Sequence, residues 1–291
     1  MEKLTYTNAK GQSIEMAQSF PIFLKSFTGT GDLGFDVQQD KAPFQDGTTY
    51  LDSVSDKRNP AIQLVIISNS QQELNAQRLM LGKVFNPKLG KGILKYENDD
   101  ISKEIEVYLE SSPKYPVGSE NKGNLFQNVL IETVAPLPFW LDIFKTTEFL
   151  AAVIPLFQFE LEIDGDGIEF GSFSDGVVDI ENIGDVSTPV KIEFFGPVTD
   201  PRITNETTGE FIELITPLLE GEKMTITTAF GNKRVEITKV NGTIENAFQS
   251  INLESSFFQL VTGTNRINFT ASAGSEDAEL TITYRNRYVA V

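Results

Sequence analysis

The chain has no cysteine and no histidine among its 291 residues, and only one tryptophan. Without histidine or cysteine there is no Ser-His-Asp or Cys-His nucleophile, and no zinc site built from thiolates or imidazoles. Haem ligated by histidine or cysteine and cysteine-ligated iron–sulfur clusters are excluded as well. No disulfide holds the fold together, so cysteine usage says nothing about a redox compartment. Positive charge is scarce: 24 Lys and Arg stand against 41 Asp and Glu, a formal charge of −17. Such a surface repels phosphate backbones and releases no condensed counterions, which argues against direct nucleic-acid binding. Long apolar runs are missing too. Met1-Glu2-Lys3-Leu4-Thr5-Tyr6 leads into polar sequence, unlike a secretory signal. The longest apolar run, starting at Phe149, is broken by Pro155 and is too short to span a membrane. These features predict a soluble chain made in a cytoplasm, with no membrane association and no cofactor.

What remains is an ordinary globular balance, 40% hydrophobic and 22% charged, in a length that suggests two domains. Phenylalanine dominates the aromatics, 22 against 7 tyrosines. Bulky apolar residues alternating with polar ones suit sheets that bury one face.

The first half reads as α+β with one helix. Ile62, Leu64 and Ile66 mark a mostly buried strand. Ser70-Gln71-Gln72-Glu73 is a capping box, and Ala76, Met80 and Val84 follow at four-residue spacing with Leu74, Leu81 and Phe85 beside them. Asn86-Pro87 ends the helix, because the residue before proline avoids helical angles. Ile93–Tyr96 and Ile105–Leu109 flank an Asn98-Asp99-Asp100 turn, a hairpin signature, and a further strand runs from Phe126 to Val134. Thr28-Gly29-Thr30-Gly31-Asp32-Leu33-Gly34 precedes no helix and reads as a flexible loop, not a phosphate cradle. Ala135-Pro136-Leu137-Pro138-Phe139-Trp140 looks like a boundary, since its prolines cannot sit inside a paired ladder. Trp140 is read as a packing anchor between domains, in preference to a sugar-stacking tryptophan.

The second half is nearly all β. Phe157, Phe159, Leu161 and Ile163 alternate with polar residues, as do Val190, Ile192 and Phe194. The same pattern recurs at Met224/Ile226, Val235/Ile237, Ile251/Leu253, Ile267/Phe269 and Leu280/Ile282. Many short strands punctuated by Gly and Asn indicate a sandwich or jelly roll.

Asp164, Asp166 and Glu169 lie on a glycine-rich turn and could offer oxygen ligands to calcium, but the rest of a twelve-residue calcium loop is missing and hairpin chemistry explains them equally. Glu210 and Glu213 are paired carboxylates of the kind a glycosidase uses, in a chain rich in acidic residues where chance pairs abound. Three sequons, at Asn205, Asn241 and Asn268, read as turn and strand residues.

Eight stretches, in order and spacing, carry a resemblance. They are Gly34–Gln38, Ala42–Gly47, Phe85–Lys88, Ala135–Trp140, Asn182–Asp185, Asp200–Glu210, Phe257–Leu260 with Gly263 and Asn265, and Tyr284–Tyr288. Through them the chain resembles, along nearly its whole length, the distal tail proteins of siphophages and prophages infecting Gram-positive bacteria. The resemblance implies a mainly β protein: an N-terminal α+β domain (β-sandwich or split barrel with one helix), then a C-terminal galectin-like β-sandwich (jelly roll). The boundaries expected are 1–138 for a ring-forming, tail-tube-like domain and 139–291 for the sandwich. The resemblance further implies a non-enzymatic virion protein, made in the host bacterial cytoplasm and placed at the distal end of the tail. There a hexameric ring would join the tail tube protein to the tail-associated tip protein, and in some relatives the outer domains carry receptor-binding proteins. DNA would pass through the ring without being bound.

Phe35, Val37, Phe44 and Tyr50 are the ring-interface candidates, apolar side chains in a glycine-rich, polar segment with little helical or strand period. Two readings of that segment stand side by side: contact with a neighbouring subunit, or plain surface loops. A galectin-type sugar site is not expected, since the histidine such sites use is absent. The rival functions are a carbohydrate-binding module for the host wall and a wall-degrading glycosidase; Phe257-Phe258 would place one ring on each face of a strand.

Overall fold

A computed structural model describes residues 2–151, 153–155, 171–173, 176–274 and 279–291. The fold is mainly β, and among the described residues it has one α-helix. The chain divides into two compact units, Met1–Ile143 with Tyr288–Val291, and Phe144–Arg287. The division falls after Trp140 rather than at Pro138, and the last four residues belong with the first unit.

The first unit contains β1 (Lys3–Asn8), β2 (Ser13–Met16), β3 (Gln18–Ser19), β4 (Ile22–Thr28), β5 (Phe35–Asp40), β6 (Thr49–Ser55) and β7 (Ala61–Ile67). It continues with α1 (Gln71–Val84), β8 (Lys91–Glu97), β9 (Ser102–Leu109), β10 (Phe126–Val134) and β11 (Trp140–Asp142). The main sheet runs β2-β1-β8-β9-β10-β7-β4-β3, with β11 added to β9. Its ends meet: the Leu24 N–H donates to the Ala17 carbonyl at 2.8 Å, and Ala17 bridges Phe23. The sheet therefore curls around one core in which Leu4, Met16, Leu24, Leu64, Leu94 and Val107 all lie buried.

Helix α1 plugs that core. The Ser70 hydroxyl accepts the Glu73 N–H at 3.2 Å, and the Glu73 carboxylate accepts the Asn69 N–H at 2.9 Å. The capping box is thus present, with its return bond one residue earlier than expected. The buried stripe is Leu74, Leu81, Val84 and Phe85, whereas Ala76 and Met80 face outward. Of the four-residue series only Val84 is buried; Leu74, Leu81 and Phe85, expected beside that series, supply the rest of the core face. Each fully buried Leu or Val contributes roughly 1.5–3 kcal/mol. Tyr6 stacks on Phe85 at 4.5 Å and fixes the helix end against β1.

The second unit contains β12 (Thr146–Ala151), β13 (Val153–Pro155), β14 (Gly171–Phe173), β15 (Val177–Asn182), β16 (Thr188–Phe195), β17 (Val198–Thr199), β18 (Arg202–Asn205) and β19 (Glu210–Glu213). After these come β20 (Pro217–Leu218), β21 (Lys223–Thr227), β22 (Arg234–Thr238), β23 (Ile244–Asn246), β24 (Gln259–Leu260), β25 (Gly263–Thr270) and β26 (Glu279–Tyr284). One sheet runs β12-β26-β16-β21-β22-β23, with β24 beside β16, and the other runs β15-β25-β18-β19. Ile192, Phe194, Met224 and Ile282 from the first share one buried cluster with Ile180, Ile203, Ile212 and Ile267 from the second. Phe194 and Phe269 touch across the gap, centroids 5.8 Å apart. Two antiparallel sheets packed face to face form a β-sandwich.

The alternation at Val190–Phe194, Met224/Ile226, Val235/Ile237, Ile267/Phe269 and Leu280/Ile282 marks strands with one buried face. The pair Ile251/Leu253 does not form one: Ile251 makes a single bridge to Leu214, and Leu253 is fully exposed. Asn252 between them accepts the Glu254 N–H at 3.0 Å, an Asx turn that breaks the run. The strand expected over Phe157–Ile163 lies outside the described residues.

Candidate assembly surface

The four interface candidates fall on one element. β5 and β6 pair with each other and with no other described strand, making a free-standing hairpin between β4 and β7. The segment expected to be loop is therefore mostly strand. The run Phe35-Asp36-Val37-Gln38 is too short to register as a period in sequence, and pairing with β6 supplies the rest. Register puts Phe35 opposite Ser55 and Val37 opposite Ser53, so these four share one neutral face. Asp36, Gln38, Asp52 and Val54 occupy the other. A bulge at Leu51 shifts the register toward Tyr50. Phe35, Val37, Tyr50, Leu51 and Val54 are all exposed, and Phe44 at the tip is fully so.

The tip is held by its own residues. The Ala42 N–H donates to Gln45 Oε1 at 3.0 Å, the Gln45 N–H to the Ala42 carbonyl at 3.1 Å, and Gln45 Nε2 to Thr49 Oγ1 at 3.0 Å. Phe44 between them has φ +66°, a left-handed conformation uncommon for a bulky residue. Such strain costs on the order of 1 kcal/mol and persists where the surroundings enforce it.

The root of the hairpin is built around a residue that sequence reasoning missed. Arg58 is buried, and its guanidinium donates to four backbone carbonyls: Pro138 from Nε at 2.7 Å, Gly29 from Nη1 at 2.9 Å, Gly31 also from Nη1, and Val289 from Nη2 at 2.6 Å. Burial pulls its pKa below the ordinary arginine value, against the pull of the Asp32 charge; arginine stays protonated all the same. Gly29 also accepts the Trp140 indole N–H at 2.9 Å, has φ +118°, and stands so close to Pro60 that a Cβ would lie 3.0 Å from that ring. Glycine is required there. The expected flexible loop at Thr28–Gly34 is thus pinned at its carbonyls. Val291 completes the knot through its N–H to the Thr30 carbonyl at 2.9 Å. Nothing in the periodicity around Arg58 singles it out, because its partners lie far away in sequence.

Trp140 sits in the core of the first unit itself, fully buried with its ring edge-on to Phe27 and Tyr96 at 6.4 and 6.3 Å. An indole needs both apolar cover and an acceptor for its N–H, and both are supplied within that unit.

Most of the stretches behind the resemblance prove to be turns and locks. Gly34–Gln38 and Ala42–Gly47 build the hairpin, and Phe85–Lys88 ends α1, where Asn86 Oδ1 accepts the Lys88 N–H at 3.0 Å. Asn182, Asn205 and Asn265 are buried in the sandwich. Asn205 donates to Asn265 Oδ1 at 3.1 Å, Asn265 donates to the Val261 and Gly263 carbonyls, and Asn182 donates to the Leu260 carbonyl at 3.0 Å. Gly184 lies so close to the Arg287 backbone that a Cβ would be 2.5 Å from its carbonyl oxygen.

The other candidates do not converge. Glu210 and Glu213 are three apart on β19 and so point to opposite faces. Glu210 accepts the Ser256 hydroxyl at 2.9 Å, while Glu213 is bonded to Asn252. Phe258 is buried in the sandwich core; Phe257 is half-buried, stacked on Phe248 at 5.6 Å with the Lys233 ammonium 5.2 Å from its centroid. Asp164, Asp166 and Glu169 lie outside the described residues.

Two family comparisons cover most of the chain. Residues 9–134 match the phage tail protein RIFT-related domain, and residues 183–288 match the siphovirus-type tail component, C-terminal domain. No curated protein sequence matches. Among solved structures the chain is similar to the Dit protein of phage SPP1, described as a paradigm of the hub adsorption apparatus in phages infecting Gram-positive bacteria, at TM-score 0.67 and 12% identity over 98% of each chain. It is also similar to a chain of the phage p2 baseplate in its activated conformation with calcium, at TM-score 0.56 and 12% identity over 100% of each chain. With both halves matched to phage tail domains and the fold shared end to end with a Dit hub, the chain belongs to the family of siphovirus distal tail proteins.

Proposed function

We propose that this structural protein of the phage tail and baseplate assembles as a hexameric ring at the distal end of the tail. In this reading the first unit forms the ring and the sandwich lies outside it. The ring joins the tail tube protein to the tail-associated tip protein, and the sandwich offers the attachment surface for receptor-binding proteins. The chain is not an enzyme and takes no cofactor. The acidic composition suits a conduit through which DNA slides without being held.

The observation that carries the reading is the β5–β6 hairpin. A two-stranded ribbon is at best marginal alone in water, and this one leaves an aromatic face uncovered. A ring supplies the cover, because a heterologous contact repeated by rotation closes on itself. The test is molar mass by light scattering, with negative-stain imaging of any large species. A six-subunit ring is expected; a chain that stays monomeric at high concentration and in the presence of its tail neighbours rules the reading out. Turnover of peptidoglycan or teichoic acid by the pure protein, abolished by one carboxylate substitution, would overturn the non-enzymatic part.

A second reading, wall-carbohydrate binding, is favoured by one feature: Phe257 stacked on Phe248 beside exposed Phe230, with Lys233 over both Phe230 and Phe257. Specific retention on a glycan array, lost with Phe248→Ala and Phe257→Ala, would establish it.

A further inference from the structure

The hairpin has a knob with no socket, and the same unit has a socket with no knob. The C-terminal half of α1 and the chain after β9 enclose an open cavity of about 630 Å³, lined by Asn75, Arg78, Leu79, Gly82, Pro113 and Tyr115 among others. That is within the range of about 300–1,000 Å³ typical of ligand pockets. Its walls are mostly apolar, and Leu79 is 78% exposed, which is unusual for a leucine beside a concave surface. Arg78 is the one charged residue in the lining. Its guanidinium lies over the Tyr115 ring at 4.6 Å, and its Nε is buried without a hydrogen-bond partner among the described residues.

We infer that this groove receives the hairpin tip, Pro43-Phe44, of a second copy of the chain. The inference rests on the ring reading and specifies which two surfaces make the ring. Three observations support the match. Phe44 is fully exposed in a turn braced to present it, and its ring suits the Arg78–Tyr115 stack, which it would extend. The charges complement one another: the hairpin carries Asp36, Asp40, Asp46 and Asp52 against Lys41, whereas the groove offers Arg78 with Lys83 in the last helical turn. And knob and groove are different surfaces of one chain, so their union is heterologous and propagates from subunit to subunit until it closes. A buried aromatic anchor of this kind typically carries a large share of interface energy.

Because the natural chain has no cysteine, an introduced pair reports unambiguously. Ala42→Cys marks the tip and Asn75→Cys the groove rim; both positions are exposed and Phe44 is left in place. Equal amounts of the two full-length single variants are mixed and oxidised, and the products are read on a non-reducing gel. The expected result is a mixed disulfide dimer forming ~10-fold or more faster than with a Leu253→Cys control in the sandwich, from the high effective concentration of docked ends. The double variant should give a ladder of covalent oligomers, lost on adding Phe44→Ser. If light scattering finds a ring but the pair cross-links no faster than the control, the groove is the wrong socket and the ring reading survives. If the pair cross-links but no ring forms, the contact stands and the ring reading falls. A monomer with no cross-link overturns both.

Discussion

Phe35-Asp36-Val37-Gln38 in β5 and Ile267-Asn268-Phe269-Thr270 in β25 have the same alternation of apolar and polar side chains. In β25, Ile267 and Phe269 vanish into the sandwich against Phe194 and its neighbours. In β5, every side chain is exposed. The physics of a strand is identical in both places, and what differs is whether the chain folds a second layer over the apolar face. The sandwich covers its apolar faces with its own hydrocarbon, whereas the hairpin is held up from beneath by Arg58 and by backbone carbonyls, and its face stays exposed. Alternation in sequence says that one face wants cover; it does not say that the same chain provides it.

That contrast can be broken at several points. The largest loss should come from the sandwich: Phe194→Ala opens a cavity between its sheets and should cost ~3–5 kcal/mol in denaturant unfolding, with the molar mass of the folded protein unchanged. A comparable loss of assembly would mean that the sandwich holds the ring, reversing the assignment of roles. Next comes the hairpin root. Arg58→Leu removes the guanidinium donors from the carbonyls of Gly29, Gly31, Pro138 and Val289, leaving Gly29 only the Trp140 indole, and should cost on the order of 3 kcal/mol. Hydrogen exchange should then rise in β5 and β6. Unchanged protection there would show that the hairpin does not depend on its root.

Titration should separate the units by smaller steps. Glu222, nearly buried, is bonded to Lys239 at 2.9 Å and accepts the Leu219 N–H at 3.0 Å; the Lys239 bond, then the Leu219 bond, hold its carboxyl below the ordinary carboxylate value. Its contribution is therefore fully present above that ordinary value and is lost as pH falls through the depressed one. Lys103 in the first unit is the reverse. Burial pulls it down, but the hydrogen bond to Asp142 at 2.6 Å and the Tyr288 ring 3.6 Å from the ammonium outweigh that and raise it. Its contribution is present below the ordinary lysine value and is lost as pH rises through the raised one. Melting temperature against pH should accordingly show an acid limb flattened by Glu222→Gln and an alkaline limb flattened by Lys103→Met; if either limb is untouched, that pair does not contribute.

The smallest stability effect should come from the hairpin face. Phe35→Ser with Phe44→Ser alters only exposed side chains, and should change unfolding free energy by no more than about 0.5 kcal/mol while shifting a wild-type ring toward monomer. Phe257→Ser with Phe258→Ser should do the opposite, lowering stability through buried Phe258 and leaving assembly intact. If the hairpin pair lowers stability as much as the sandwich pair does, the hairpin face is covered within its own chain.

The sequence by itself determined many of the strands that bury one face, and where the single described helix begins and stops. Alternation and a capping box are local signals, written within a few residues of the groups they satisfy, so Ser70–Glu73, Phe126–Val134 and Val190–Phe194 could be read directly. Composition also removed whole classes of chemistry before any fold was known. Tertiary structure alone decided the rest. It rotated α1 to bury Leu74 and Leu81 rather than Ala76 and Met80, drew Trp140 into the first unit, and gathered Gly29, Pro138 and Val289 around Arg58. Among the described residues it also left the β5–β6 hairpin paired with no third strand. Each of these depends on groups brought together from distant parts of the chain, and no periodicity at either end encodes where the other end will be.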